Sequence, residues 1–286
     1  MAGEHFLRIA GMTIALRCAD EAIAWEWNAP TQRFLVPPAT PDVDITVRVG
    51  APSSPPGELL FESGGVWRLF RDEGGYRIEC RAELFGEAPY RVACFDETFT
   101  RGTIFVTPNA AHVNPLEYPL DEVLLSHLLG RGRGAELHSC GIIDGQGRGH
   151  LFVGVSGAGK TTTARLWGDA AATIVSDDRV IVREDEGRMW IHGTPWHGEA
   201  ELSAATRAPL AGVYLLVQSE ANEFRLLSDA EAVVRLFRCT FPLFHDPTAV
   251  DFTLSFFARL ASMVPVRELR FTRDANVADL VPREVV

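Results

Sequence analysis

His150-Leu151-Phe152-Val153-Gly154-Val155-Ser156-Gly157-Ala158-Gly159-Lys160-Thr161-Thr162-Thr163-Ala164-Arg165-Leu166-Trp167 is the stretch on which the reading of this chain turns. Its middle fits G-x-x-x-x-G-K-[ST], the phosphate-binding P-loop pattern. Glycines let the backbone curl so that several N–H groups point inward at one anion. The apolar run 150–153 reads as a strand ahead of the loop, and 162–167 reads as a helix after it. Such a helix presents its positive N-terminal end to the same phosphates. On this pattern Gly154, Ser156, Gly157, Ala158, Gly159, Lys160, Thr161 and Thr162 bind a nucleotide. Lys160 reaches the β- and γ-phosphates and the Thr161 hydroxyl sits on Mg²⁺. A Gly-rich turn that happens to hold a lysine is the competing reading, and the strand and helix on either side weigh against it.

Composition sets the outer bounds. The chain has 286 residues, 47% of them hydrophobic, enough for two modest domains or one large one. A formal charge of −11 argues against a nucleic-acid partner. It does not argue against ATP, because a local nest of N–H groups with a lysine and a metal overrides a global negative field. The five cysteines, at 18, 80, 94, 140 and 239, include no C-x-x-C pair and suit reduced thiols rather than a disulfide frame or zinc site. Residues 1–8 lack a basic region followed by an apolar one, and no run is long enough to span a membrane. A cytoplasmic protein without a membrane partner is the expectation.

Residues 1–115 read as a β-rich accessory domain, suited to packing, homo-oligomerisation or substrate capture. Its strand candidates are 6–16, 44–49, 65–70, 76–81 and 103–106, with Asp72-Glu73-Gly74-Gly75 as a hairpin turn. Pro-rich loops at 37–41 and 51–57 interrupt them. A helix is predicted over 118–129. The second domain is placed at 116–286, a P-loop nucleotide-binding domain, and from 136 its pattern becomes α/β. Strands are predicted at 137–143, 150–153, 172–175, 179–183, 188–192 and 210–217, and helices at 228–238 and 248–263. Ser228 with Glu231 forms a capping-box signature at the first of these helices.

Ser176-Asp177-Asp178 ends the strand that follows the loop. Carboxylates there have a use: one holds Mg²⁺, and another accepts a proton from an attacking hydroxyl. Both side chains reach one site only if the strand stops at that point. A turn or helix cap is the alternative use of the same residues. Gly193-Thr194-Pro195-Trp196-His197-Gly198-Glu199 is a loop with an unusual density of chemically useful side chains. One reading puts Glu199 near metal or substrate and His197 near the transferred phosphate. The other is a structural loop with a buried Trp anchor. Arg235 and Arg238 offer a cation to a phosphoryl group or simply face solvent.

Residues 136–200 resemble the catalytic domain of bacterial HPr kinase/phosphorylase. The shared order is His138 in a strand, a hairpin, GVSGAGKTT at 154–162, and then Val175-Ser176-Asp177-Asp178-Arg179-Val180. The resemblance implies an α/β fold: an HPr-kinase-like P-loop domain with a mixed sheet, related to the ATP-dependent phosphoenolpyruvate carboxykinases. It also implies roles. Lys160 binds β- and γ-phosphate, Thr161 and Asp178 hold Mg²⁺, Asp177 is the base toward the acceptor, and His138 lies near the γ-phosphate. The family's signature loop after the Asp pair is not reproduced; 193–199 stands in its place, as in a diverged branch of the family.

The expected function is an ATP- and Mg²⁺-dependent kinase acting on a hydroxyl, with Asp177, Lys160, His138 and Glu199 as catalytic residues. The acceptor is open: a Ser or Thr of a protein or peptide, or a small metabolite. An ATPase or nucleotide-sensing switch, and a non-catalytic nucleotide-binding module, are the rivals.

Overall fold

The computed structural model describes residues 3–18, 23–86, 88–107, 112–154, 157–160, 162–163 and 172–272. The chain divides into two units, Met1–Leu128 and Leu129–Val286. The division falls after the helix that the sequence reading assigned to the second domain.

The first unit is built on alternation. In β5 (Val43–Val49), Val43, Ile45 and Val47 are fully buried, and the residues between them lie on the other face. Around it the strands are β1 (Glu4–Ile9), β2 (Met12–Cys18), β3 (Ala24–Trp25), β4 (Leu35–Val36), β6 (Glu58–Ser63), β7 (Trp67–Asp72), β8 (Gly75–Cys80), β9 (Arg91–Asp96), β10 (Arg101–Val106) and β11 (His112–Val113). Nine of them form one mixed sheet in the order β4-β1-β2-β5-β10-β9-β8-β7-β6, and β3 pairs with β11. The single strand predicted at 6–16 is two. Ala10 and Gly11 both have positive φ and close a two-residue hairpin in which Ile9 pairs with Met12. The predicted turn at 72–75 closes β7 onto β8 as expected. Helix α1 is a single turn, Ala29–Gln32, and α2 (Leu120–Leu128) buries Leu120, Val123, Leu124 and Leu128 on one face.

The second unit is a mixed eight-stranded arrangement. Its strands are β12 (Ala135–Ile143), β13 (Gly149–Val153), β14 (Thr173–Ser176), β15 (Arg179–Asp185), β16 (Arg188–His192), β17 (Arg207–Gln218), β18 (Glu223–Leu226) and β19 (Val266–Phe271). β13, β17 and β19 run parallel to one another; the other pairings are antiparallel. Buried parallel strands carry apolar residues on both faces, and β13 does so. Leu151 and Val153 join one core with Leu137, Val180, Val213 and the helix residues Phe256, Phe257 and Leu260. Phe152 joins a second core with Cys140, Ile142, Tyr214, Leu269 and Phe271. Helices α3 (Asp229–Phe237) and α4 (Pro247–Met263) contribute to the first core, and α3 opens with the predicted capping box. No helix among the described residues is long and apolar enough to cross a membrane.

Candidate functional site

The site forms around one residue of β12. The backbone N–H of His138 donates to Cys239 O at 2.7 Å, and His138 O accepts from Gly154 N at 3.4 Å. On the opposite edge of β12, β15 pairs up to Arg179 opposite His138, and β14 resumes with Ser176 opposite Gly141. Between them Asp177 and Asp178 leave regular strand geometry, though Ser139 N still donates to Asp178 O at 2.8 Å. Four chain segments therefore converge: 138–140, the residues after β13, the Asp pair, and the residues after α3. This is the carboxyl end of a parallel strand, where open α/β sheets place their ligands.

The loop after β13 is described at Gly154 and from Gly157 to Lys160. Gly159 sits at φ +107°, and a Cβ there would lie 2.8 Å from Phe271 Cζ, so only glycine fits. Gln218, at the end of β17, donates to Gly157 O at 3.0 Å. The ends of β17 and β19 thus brace the loop from one side. Thr163 N donates to Gly159 O at 2.9 Å, the i to i−4 bond of a helical turn. Val155, Ser156, Thr161 and the segment 164–171 lie outside the described residues, so the expectations for Ser156 and Thr161 rest on sequence alone.

Lys160 is buried, 6% exposed, and its Nζ donates to Gly154 O at 2.9 Å. Burial pushes its pKa down, and the charge of Asp178 pulls it back up. Asp178 faces an imidazole and a guanidinium: Oδ1 lies 3.1 Å from His138 Nε2, and Oδ2 lies 3.2 Å from Arg179 Nε. Arg179 in turn approaches the buried Glu136 at 3.9 Å and stacks over the Phe241 ring at 4.7 Å. Cys140 is fully buried, and burial together with the Asp177 charge drives its thiol far above the ordinary range. Burial also raises Cys239, against the opposing charge of Lys160.

The adjacent carboxylates part company. Asp177 is 1% exposed, and its Oδ1 accepts from Gly198 N and its Oδ2 from Ala200 N, both at 2.9 Å. The loop that supplies those donors is fastened elsewhere too. Ser176 Oγ donates to Trp196 O at 2.9 Å, Asp177 N to Leu202 O at 3.2 Å, and Ala204 N to Val175 O at 3.0 Å. Trp196 is buried, whereas His197 and Glu199 are exposed.

The predicted residues thus sort into groups. His138, Asp178 and Lys160 come together, and Asp177 adjoins them but binds the loop. Glu199 is held on the outside of that loop, with the flanking residues 198 and 200 bound to Asp177. Arg235 is engaged by Glu268. Among the described residues no group of three or more His, Cys, Asp and Glu side chains is arranged to hold a metal. Sequence reasoning quoted Arg179 as part of the motif without giving it a role, and missed Glu136, Gln218, Phe271 and Cys239. Arg179 adjoins the Asp pair, but nothing in the sequence marks the other four as neighbours of the loop.

No family model matches the chain, and no curated protein matches it in sequence. Among solved structures it is similar to the HPr(Ser) kinase/phosphatase from Coxiella burnetii, with a TM-score of 0.30 and 8% identity over 51% of this chain and 91% of that one. A likeness at that score carries no weight for fold or function.

Proposed function

We propose that the second unit binds Mg²⁺–ATP and transfers the γ-phosphoryl group to a hydroxyl acceptor. The observation that carries this reading is the convergence on His138. Its backbone ties the residue after β13 to the residue after α3, and its ring contacts Asp178, whose charge acts on Lys160. Phosphoryl transfer asks for positioning and charge neutralisation more than for covalent chemistry, and these groups suit both needs.

The residues fit the proposed ligands. Gly159 lets the loop turn at φ +107° hard against Phe271, and Lys160 is a cation buried beside the loop's first carbonyl. Thr161 and Asp178 are the residues that would hold Mg²⁺, which when bound neutralises charge on the phosphate oxygens. Lys160 keeps a positive charge at the loop. Asp178 keeps the His138 ring in place, and Arg179 fixes the second Asp178 oxygen. The acceptor's proton is taken up by the pair formed by Asp178 and His138. The test is transfer of label from γ-labelled ATP to a panel of Ser/Thr peptides, proteins and small alcohols. Label on an acceptor hydroxyl is the expected result. A chain that binds no MgATP and labels nothing would contradict the proposal.

A further inference from the structure

We infer that the two adjacent carboxylates divide their work: Asp177 is a positioning residue that holds the loop 196–200, and Asp178 alone turns toward His138 and the loop after β13. The inference rests on the phosphoryl-transfer reading and sharpens it. Both Asp177 oxygens are committed to backbone N–H groups at 2.9 Å, and the residue is 1% exposed. A carboxylate with each oxygen bound to a neighbouring loop is a fastening, and hydrogen bonds to a charged group are among the stronger ones. The Asp178 side chain, by contrast, is 27% exposed and faces His138 and Arg179.

Asp177 grips residues 198 and 200 by their backbone, and the side chains between and beside them, Glu199 and His197, are exposed. Gly198 sits where its absent Cβ would be 3.1 Å from Asp177 Oδ2 and 3.5 Å from Asp178 Cβ. The loop therefore runs directly beside Asp178. Held in this way, the loop keeps its backbone at Gly198 beside Asp178, with His197 and Glu199 exposed on it. Asp177 therefore acts through the loop it fastens, without touching the reacting atoms.

The experiment uses the full chain with MgATP as sole substrate, water being the acceptor. It compares wild type, Asp177→Asn and Asp178→Asn. An Asn amide nitrogen cannot accept an N–H, so Asp177→Asn removes one of the two fastenings. Amide hydrogen exchange is read over 193–204 and over β15–β16, alongside the MgATP KM and kcat. For Asp177→Asn we expect exchange over 193–204 about tenfold faster with β15–β16 unmoved, since only local opening changes. We expect its MgATP KM within about twofold of wild type and kcat down about three- to tenfold, against a loss of about a hundredfold or more for Asp178→Asn. Unchanged loop exchange with kcat as low as in Asp178→Asn would overturn the inference and make Asp177 a reacting group. Ala200→Pro, which removes a donor and leaves the carboxylate intact, serves if Asp177→Asn does not fold, and faster loop exchange is expected from it too. Failure of the wild type to bind MgATP would strike the phosphoryl-transfer reading instead; the exchange comparison needs no turnover and decides the fastening independently.

Discussion

Lys160 shows how one residue's setting separates binding from stability. Its ammonium is buried and donates to Gly154 O. A buried cation is weakly stabilising at best, and an apolar side chain of similar volume often serves the fold as well. Lys160→Met should therefore leave thermal stability unchanged or slightly raised while MgATP affinity falls at least tenfold. Differential scanning fluorimetry with and without MgATP checks both halves. Loss of stability without ligand would show that the lysine serves the fold. The lysine and the Asp pair were legible in the sequence because their spacing is local to a strand–loop–helix pattern. The direction of Asp177 was not, because it depends on residues 198 and 200 folding back, more than twenty positions along the chain.

The elements follow local chemistry where that chemistry is self-contained. Helix α3 starts where Ser228 and Glu231 predict, with Glu231 N donating to Ser228 Oγ and the Ser228 N–H donating to Glu231. Ser228→Ala should cost about 1 kcal/mol in a urea titration. The run at β19 escaped the sequence reading because its polar residue is neutralised only in the folded chain. β19 carries Glu268, an acid that is 5% exposed and is made tolerable by Arg225, Arg235 and Arg270. Two of those arginines come from other elements, so the strand's polar residue looks out of place until the fold assembles. The loop after β13 depends on the same strand: Gly159→Ala would drive a Cβ onto Phe271 at a φ of +107°. Strain of this kind costs about 1–3 kcal/mol. The variant should lose MgATP affinity by tenfold or more, and the double variant with Phe271→Ala should regain only part, because the backbone strain remains.

At the scale of the whole molecule, stability should respond to acid through His192. The residue is 5% exposed in β16, and burial, followed by the charges of Arg183 and Arg207, pushes its pKa down to about 4 from 6.5. Between pH 6.5 and 4 the unfolded chain binds a proton that the folded chain refuses. The contribution is therefore full above pH 6.5 and is lost as pH falls toward 4, on the order of 3 kcal/mol in total. Urea midpoints at pH 7, 5.5 and 4.5 should fall in the wild type, and His192→Gln should flatten that slope.

The two units carry different burdens. Residues 129–286 hold every side chain proposed for phosphoryl transfer, and the β-rich first unit supplies none of them. The most direct measurement is calorimetric titration of MgATP into the full chain, wild type beside Lys160→Met. Saturable one-to-one binding by the wild type, weakened at least tenfold by the substitution, is the expected result. No heat of binding at millimolar MgATP, or equal affinity in both proteins, would contradict the proposal that this loop holds a nucleotide.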